Sequence, residues 1–391
     1  MDKPDPPLRK RQVTDRRNWW LDATGATDGQ RRFFEASGAD LELADLLVEN
    51  AVGWMPVPLG VASGLVVNGR NYEVPLATEE PSVIAAASYG ASLAARAGGF
   101  RAGAADPVMR AQVFLENPAP DAETRLEAHR GALEAEARTH MASMERRGGG
   151  LRALSLGRLA GLDVAAVRLD VDVRDAMGAN LLNTLAEAMT PSLEKTLGGR
   201  KLLAVLSNDA SLRPAWAEVR FPFTSLNKPG IPGSEMARRI ALASAVAQAD
   251  PQRAVTHNKG IMNGISALAL ATGNDTRALE AAVHSFAAAT GSYRGLSRWS
   301  VEGEFLAGHL DIPLALATVG GSVGIHPTAR MALQLLGDPS SPELCTLAAA
   351  LGLAQNFAAL FALAGEGIQR GHMALHDRRR DWIDRHNGAK P

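Results

Sequence analysis

Lys259 stands out as a side chain that could do chemistry, because lysine is scarce in this sequence and its surroundings are apolar. The chain has 7 lysines against 34 arginines, and Lys259 lies in the segment THNKGIMNGISALALA. A lysine at the start of a predicted apolar helix is partly desolvated, and arginine would not replace its compact charge. The alternative is a lysine whose stem covers apolar surface while its ammonium reaches water.

Two carboxylates are predicted to lie where helices start. Asp275 follows Gly273-Asn274, and Glu80 precedes Pro81, a residue type that favours the first helical position. An acid at such a position is stabilised by the helix dipole and by free backbone N–H groups. Each of these two acids, taken alone, therefore has a sufficient structural explanation.

A histidine pair near the C-terminus raises the question of a metal site. His372 lies in GIQRGHMALHDRRR, one helical turn before His376. Histidines at i and i+4 can bind a metal ion, but no HExxH pattern or third ligand accompanies this pair. The sequence therefore predicts no metal site here.

The segment VDVRDAMGANLLNTLAEA predicts a strand that leads through a turn of small residues into a helix. Gly178 lets a ligand approach the backbone, and the exposed N–H groups of a helix N-terminus suit a phosphate. The dinucleotide fingerprint GxGxxG and the phosphate loop GxxxxGKS/T are absent from the sequence. A dinucleotide at this turn would therefore be held without the usual nucleotide-binding fold.

A competing pattern is GGSVG at 320–324, which matches the GxSxG turn of serine hydrolases. An apolar predicted strand precedes Ser322, and Asp338 and His372 follow in the Ser, Asp, His order of α/β-hydrolases. One five-residue match in a chain with 38 glycines is a weak signal, and the IHP tripeptide interrupts the helix that should follow at once. A serine hydrolase using Ser322 is therefore an alternative function.

Predicted helices and strands are mixed without a steady βαβ alternation, which favours an α+β fold over a doubly wound parallel sheet. Helices are predicted at 31–50, from Pro81 to Gly98-Gly99, at 122–147, across 234–290 as three segments, at 328–337 and at 341–376. Strands are predicted at 164–173, 202–207, 215–221 and within 302–319.

Length, composition and charge exclude several classes of protein. The chain has 391 residues, 46% hydrophobic and 21% charged, so two or three domains are expected. A net charge of -1 argues against nucleic acid or an anionic membrane surface as partner. No apolar run reaches the roughly 20 residues of a membrane span, and the charged N-terminus does not look like a secretory signal. The single cysteine, Cys345, excludes an internal disulfide framework, so we expect a cytoplasmic protein.

Several of these segments join into one pattern that resembles the hydroxymethylglutaryl-coenzyme A reductases. The matching segments run in the family's order, at similar separations, from about Glu49 to His376. They are VENAVGWMPVPLGVA, VPLATEEPSVIAAAS, DAMGANLLNTLAEA, THNKGIMNG, ATGND and GIQRGHMALH. The EEPS segment and the lack of a membrane anchor resemble the soluble, mainly prokaryotic class II branch.

The resemblance implies an oxidoreductase that interconverts 3-hydroxy-3-methylglutaryl-CoA (HMG-CoA) and mevalonate plus coenzyme A. Members of the family carry out a four-electron, two-hydride reaction with NADPH or NADH and without a metal. A fixed cation stabilises the oxygen charge that hydride attack creates, and Lys259 matches the family lysine with this role. Asp275 matches the aspartate that holds this lysine, and Glu80 matches the proton donor to the carbonyl oxygen. His372 matches the histidine that protonates the departing coenzyme A thiolate.

The resemblance also assigns contacts to the substrate and the cofactor. Arg253 suits a carboxylate because its guanidinium can bind both oxygens. The residues assigned to the substrate are Glu49, Asn50, Ser82, Arg253 and Asn263. The residues assigned to the dinucleotide are Asp175, Ala176, Met177, Gly178, Ala179, Asn180 and Asn208.

The implied fold has a large acyl-CoA-binding domain and an inserted small α/β domain for the dinucleotide, which is not a standard Rossmann fold. We place the large domain at 31–102 and 213–365 and the small domain at 103–212. A loose N-terminal tail would occupy 1–30, and a shortened C-terminal flap 366–391. Family active sites form between two subunits, so a homodimer or a multiple of dimers is implied.

One departure from the family concerns the choice of nicotinamide cofactor. NADH-using class II members carry an aspartate on the helix before a GGG turn, and anchoring on Gly148 puts Met141 there. Without that acid a 2′-phosphate would be admitted, which favours NADPH. The nearby basic residues are Arg138, His140, Arg146 and Arg147; the alternative is that they form a solvated helix face. A non-catalytic acyl-CoA-binding relative is a further alternative, although it would not need all four chemical residues.

Overall fold

The computed structural model describes residues 8–11, 13–35, 41–52 and 54–365. Within these ranges ten strands form three sheets, and all strand pairs are antiparallel. The strands are β1 (Leu59–Val67), β2 (Arg70–Ala77), β3 (Arg101–Ala104), β4 (Val108–Glu116), β5 (Gly150–Arg158), β6 (Val164–Asp172), β7 (Arg200–Ser207), β8 (Pro214–Pro222), β9 (Ser297–Glu302) and β10 (Phe305–Pro313).

The α-helices pack on these sheets and join them. They are α1 (Val13–Ala23), α2 (Asp28–Glu35), α3 (Leu41–Leu47), α4 (Val83–Arg96), α5 (Ala122–His140), α6 (Ala142–Arg146), α7 (Ala179–Leu197), α8 (Gly233–Ala249), α9 (Pro251–Ala271), α10 (Thr276–Ala288), α11 (Gly321–Ile325), α12 (Pro327–Leu335) and α13 (Ser341–Ala364). The mixture of separate helices and antiparallel sheets confirms the predicted α+β class.

The largest hydrophobic core lies between the sheet β3-β8-β10-β9 and the helices α4, α8, α9 and α13. Helix α13 runs through this core and starts at a capping box, in which Ser340 and Glu343 bind each other's backbone N–H groups. Phe357 of α13 stacks on Phe221 of β8 with ring centroids 4.0 Å apart. By length and composition α13 could span a membrane, but 78% of its most apolar window is buried inside the protein. It is therefore a core helix.

The hairpin of β1 and β2 delivers the loop that carries Glu80. Asn68-Gly69 forms its turn with two positive φ angles, 50° and 82°, as two-residue hairpins prefer. Pro81 is predicted to open the next helix, but α4 begins only at Val83, after Ser82 with its φ of 77°. Glu80 is therefore a loop residue rather than part of a helical first turn.

The second core belongs to the sheet β5-β6-β4-β7, with α5 and α7 packed on it. In chain order these elements form a βαββαβ unit, in which each helix connects two strands that are separated by a third. Helix α7 buries Leu182, Leu185, Met189 and Leu193, spaced three and four residues apart, against the sheet. Since the sheet is antiparallel, this unit differs from a Rossmann fold, as the resemblance implies. Its elements lie between residues 108 and 207, within the predicted small domain at 103–212.

Helix α1 lies in the segment 1–30 that is predicted to be a loose tail, and for this helix the prediction is wrong. Trp20 and Leu21 are buried against Met331 and Ala332 of α12. Burial of such side chains stabilises a fold by about 1.5–3 kcal/mol each, which suffices to dock one short helix.

Two predicted elements are shorter than the sequence pattern indicates. The helix predicted at 122–147 breaks at Met141, whose backbone leaves the helical region with φ −113°. The strand region at 302–319 ends at Pro313, which cannot donate to a sheet ladder. Of the helix predicted at 31–50, the structure describes parts of α2 and α3, and residues 36–40 lie outside the described residues. The termination of α4 before Gly98-Gly99 is as predicted.

Candidate active site

Lys259 and Glu80 meet in the wall of a cavity of about 600 Å³. The ammonium of Lys259 donates a hydrogen bond to Glu80 Oε2. The side chain of Lys259 is 57% exposed and that of Glu80 39%, so the pair is accessible to a ligand. The cavity lies between the loop after β2 and one face each of α9 and α10.

Helix α9 presents Lys259 to the cavity through its register. Asp250 caps the helix by accepting a hydrogen bond from the backbone of Gln252, and Pro251 occupies the first turn. Lys259, Asn263 and Ser266 follow at i, i+4 and i+7, which places them on one face of the helix. The sequence predicts Lys259 at the start of a helix. In the structure it lies in the third turn of α9, which begins at Pro251.

Asp275 caps α10, which confirms its predicted place at a helix start. Its carboxylate accepts hydrogen bonds from the N–H groups of Arg277 (2.9 Å) and Ala278 (3.1 Å), and it forms an ion pair with Arg277 at 3.3 Å. In the described part of the chain Lys259 forms its ion pair with Glu80 and none with Asp275. Contact between Asp275 and Lys259 stays a prediction.

The residues assigned to the substrate lie in several separate parts of the chain. Asn263 lines it. Ser82 precedes α4 and Arg253 lies in the first turn of α9, both half-buried, whereas Glu49 and Asn50 are exposed in the turn after α3. The structure brings only Asn263 together with Lys259 and Glu80 in the wall, and the other four contacts stay predictions. His372, the predicted flap at 366–391 and residues 1–7 lie outside the described residues.

The loop between β6 and α7 is shaped for close approach of a ligand. Gly178 has φ 87°, and a Cβ there would lie 2.5 Å from Val173 Cγ1, so only glycine fits. No side chain caps α7, which leaves its first N–H groups available to an anion. Asp175 anchors the loop: its carboxylate accepts from Ser341 N at 2.8 Å, and its carbonyl from Thr318 N at 2.9 Å.

The strand register places the loop after β6 and the predicted cofactor residue Asn208 at the same end of the small sheet. Asp172 pairs with Gly150 at the start of β5 and with Val108 at the start of β4. Asn208 follows β7 at this end and is exposed. Ala176 also pairs with Val319, so the segment before Gly320-Gly321 lies beside the loop. In the sequence, Gly320-Gly321 matches only the hydrolase motif.

The helix position expected to select the cofactor holds a buried side chain. Met141 is 1% exposed and belongs to the second core, so it faces away from solvent. Exposed cations instead flank the GGG turn on the sheet side: Arg152 and Arg174 both bind the buried carboxylate of Asp172. A methyl group on Gly148 would lie 3.6 Å from the guanidinium of Arg174. The turn is therefore flanked by Arg152 and Arg174 on one side and by the Glu145 carboxylate, which lies against Gly150, on the other.

The hydrolase pattern does not form a catalytic triad in the described part of the chain. Ser322 is exposed in α11, nine residues after the end of β10, so no strand delivers it to a sharp turn. Asp338 forms an ion pair with Arg330 at 3.1 Å. No group of three histidine, cysteine or acidic side chains within the described ranges is placed to hold a metal ion.

Four further polar residues in and beside the cavity are joined by hydrogen bonds, and the sequence analysis did not predict them as site residues. Glu280 accepts hydrogen bonds from Ser266 Oγ (2.5 Å) and lies 3.0 Å from His284 Nε2, while His284 Nδ1 lies 2.6 Å from the Tyr293 hydroxyl. The signal that could have found them is the i, i+4 spacing of Glu280 and His284 just after Asp275.

Comparison with known proteins agrees with this geometry. A family described as hydroxymethylglutaryl-coenzyme A reductase matches residues 12–377. The 3-hydroxy-3-methylglutaryl-coenzyme A reductase of Archaeoglobus fulgidus is 41% identical over 379 residues, covering 95% of this chain and 85% of that protein. A probable reductase of the same name from Borreliella burgdorferi is 37% identical over 334 residues, covering 84% of this chain and 76% of that protein.

A solved structure extends the likeness to the fold. The class II 3-hydroxy-3-methylglutaryl-CoA reductase from Streptococcus pneumoniae, bound to NADPH in open conformations, is 41% identical, with a TM-score of 0.86. The match covers 92% of this chain and 99% of that one. The chain belongs to the hydroxymethylglutaryl-coenzyme A reductase family, and the predicted fold and oxidoreductase class are confirmed.

Proposed function

We propose that this protein interconverts HMG-CoA and mevalonate plus coenzyme A, with a nicotinamide dinucleotide as the hydride carrier. The observation that carries the proposal is the ion pair of Lys259 and Glu80 in the cavity wall. Reduction of a thioester carbonyl needs a fixed cation for the developing oxygen charge and an acid that completes the alcohol. This pair supplies one side chain of each kind.

The ion pair suggests how the two groups act in sequence. A carbonyl oxygen that replaces Glu80 at the ammonium of Lys259 would receive the hydrogen bond that Glu80 accepts in the free protein. Glu80 would then lie beside the same oxygen and, once its carboxylate has taken a proton from solvent, would pass that proton to the oxygen. Asn263, one turn further along α9, can orient the substrate by hydrogen bonds. Asp275 and His372 keep the roles that the family resemblance implies.

The loop from Asp175 to Asn180 and the start of α7 fit the phosphates of a dinucleotide. The uncapped N–H groups of α7 and the open backbone at Gly178 support this assignment. The nicotinamide supplies the hydride when it is bound. Among this chain's residues, Asp175 holds the loop to α13, so its contribution would be to fix the geometry rather than to contact the cofactor. Asn208 would flank the site from β7.

NADPH is the cofactor that we propose. Arg152 and Arg174 flank the GGG turn, and their shared partner Asp172 is fully buried, so a ligand on this side meets two guanidinium groups, with the Glu145 carboxylate on the Gly150 side. A 2′-phosphate would gain charge-assisted hydrogen bonds there. The test is kcat/KM with NADPH and with NADH for the wild type and for Arg174→Ala and Arg152→Ala. We expect a preference for NADPH that falls at least about tenfold in these variants; a clear NADH preference in the wild type would exclude the assignment.

We further propose a homodimer in the cytoplasm, without a nucleic acid or membrane partner. The segment after α3 exposes large apolar side chains, with Val52 99% and Met55 93% exposed. Such a segment in a soluble protein marks an interaction surface. Light scattering coupled to size exclusion should give twice the chain mass of 41.2 kDa, or a multiple of that dimer. A monomer at micromolar concentration would contradict this assignment.

The activity itself can be tested in both directions. Purified protein with HMG-CoA and NADPH should produce mevalonate and one free thiol of coenzyme A, and the reverse mixture should reduce NADP⁺. A non-catalytic acyl-CoA binder would bind HMG-CoA without forming either product. Because Lys259 and Glu80 are both present and paired, we expect turnover.

A further inference from the structure

A chain of hydrogen bonds runs along the cavity wall beyond the groups that the proposed chemistry uses. It begins at Ser266 of α9, passes through Glu280 and His284 of α10 and ends at Tyr293. Glu280 and His284 also line the same cavity as Lys259. Buried or half-buried networks of this kind hold elements in one arrangement when every member has a partner.

The bonding pattern indicates a positioning role rather than proton transfer to a substrate. Both ring nitrogens of His284 are engaged, Nε2 with Glu280 and Nδ1 with Tyr293. Both carboxylate oxygens of Glu280 are engaged as well, Oε1 by Ser266 and Oε2 by His284. Neither side chain presents an unused nitrogen or a bare carboxylate to a ligand in the cavity.

Both ends of the chain connect to α9, one on each side of Lys259. Ser266 lies seven residues after Lys259, about 10 Å along the helix axis. At the other end Tyr293 belongs to the turn that Asn258 holds, by donating to Arg294 O (2.8 Å) and accepting from Leu296 N (2.9 Å). The network therefore ties α10 and its following turn to the helix that carries Lys259.

The start of α10 is fixed independently. Asn274 donates to Ala317 O at 3.0 Å and accepts from Ala317 N at 2.7 Å. Asp275, the next residue, caps α10 five residues before Glu280. Because both helices are rigid, the Asn274 contacts and the bond between Ser266 and Glu280 together set the position of Asp275 relative to Lys259.

We propose that Ser266, Glu280, His284 and Tyr293 form a lock that holds Asp275 in register with Lys259, with His284 as the central positioning residue. The inference rests on the proposed function, in which Asp275 and Lys259 act together. Misplacement of a catalytic group by about 1 Å can cost about 100-fold in rate. Loss of the lock should therefore lower kcat while leaving cofactor binding intact.

The test compares His284→Ala and His284→Gln with the wild type and with a matched control, His309→Ala. His309 also pairs with carboxylates, Asp311 at 2.8 Å and Glu218 at 3.4 Å, but lies on β10 outside this cavity. We expect His284→Ala to lower kcat by about 10–100-fold, with the KM for NADPH within about twofold of the wild type. Glutamine offers both a donor and an acceptor, so His284→Gln should recover most of the rate, and His309→Ala should match the wild type.

A second readout does not depend on turnover. Hydrogen exchange of the backbone amides at 276–281 should accelerate in His284→Ala and, to a smaller degree, in Tyr293→Phe, which removes a single hydroxyl. Equal kcat in His284→Ala and the wild type, equal impairment of His284→Gln and His284→Ala, or unchanged exchange would each overturn the lock. If the wild type forms no mevalonate, the proposed function fails, and the exchange measurement still decides whether the lock exists.

Discussion

Lys259 donates a hydrogen bond to Glu80 across 179 positions of sequence. The pair joins the third turn of α9 to the loop between the β1–β2 hairpin and α4. Its formation depends on two separate local features: the capped start of α9, and the Asn68-Gly69 turn, which reverses the chain so that β2 runs towards this helix. The Lys259–Glu80 pair therefore depends on the packing of the β1–β2 hairpin against α9.

The first prediction concerns the cation. Lys259→Ala should lower kcat by about 100-fold or more, since one lost oxyanion donor costs about that much. Its 57% exposed side chain carries little of the core, so the unfolding midpoint should stay near that of the wild type. Lys228→Ala is the matched control, because Lys228 packs its ammonium over the ring of Phe361 away from the cavity. Steady-state rates and thermal melts of both variants check this; near-normal turnover in Lys259→Ala would rule out the role.

The second prediction concerns the turn before α7. Gly178→Ala places a methyl group against Val173 at a backbone angle that favours glycine. We expect the KM for the nicotinamide cofactor to rise several-fold and the protein to lose about 1–3 kcal/mol of stability. Gly131→Ala is the control, since Gly131 lies inside α5 with open space around it; it should stabilise the protein slightly. A Gly178→Ala protein with normal KM would remove this turn from the cofactor site.

The third prediction concerns pH and a core histidine. Burial, with a smaller effect of Arg253, lowers the pKa of His257 from 6.5 to about 4. Between these values the unfolded chain binds a proton that the native protein does not. Protonation of His257 therefore does not lower the free energy of unfolding above about pH 6.5. As the pH drops towards 4, it lowers that free energy by about 3 kcal/mol in all.

Urea unfolding at about pH 7 and about pH 5 measures this loss. His257→Leu removes the titrating group and should flatten the pH dependence, although it also removes the contact with Ser297 Oγ at 2.7 Å. The informative quantity is the difference between the two pH values within each variant. A difference that is the same in both proteins would show that other groups cause it.

The fourth prediction concerns the GGSVG segment. Ser322→Ala should leave reductase turnover within about twofold of the wild type, because within the described residues no histidine and acid are arranged behind the serine. The protein should also resist labelling by a fluorophosphonate. Covalent labelling at Ser322 together with esterase activity would instead support the hydrolase alternative.

Much of this site could be predicted from local sequence. The turn at Gly178 follows from one glycine between a strand and a helix, and Asp275 follows from a capping position. Both depend on neighbours in the chain, which residue types can indicate. The sequence predicts Glu80 at a helix start because Pro81 suits a first helical turn, whereas Ser82 with its positive φ delays the helix to Val83.

The remaining features depend on packing between distant segments. The four-residue spacing of Leu133, Ala137 and Met141 indicates one helix face, but the burial of that face in the small-domain core depends on the sheet beneath it. The buried face of α1 likewise depends on α12, more than 300 positions away. The hydrogen bond from Ser266 to Glu280 forms only if α9 and α10 cross at one particular angle. The spacing of apolar residues within each helix does not determine that angle.

The central claim is that one cavity carries out two successive hydride transfers to HMG-CoA with Lys259 in the wall. Its most direct test is the stoichiometry of nicotinamide oxidised to mevalonate formed, measured on one sample by absorbance and by product analysis. The wild type should consume two NADPH for each mevalonate, and Lys259→Ala should form almost none. Consumption of one NADPH with an accumulating aldehyde, or mevalonate formation that survives Lys259→Ala, would contradict the account.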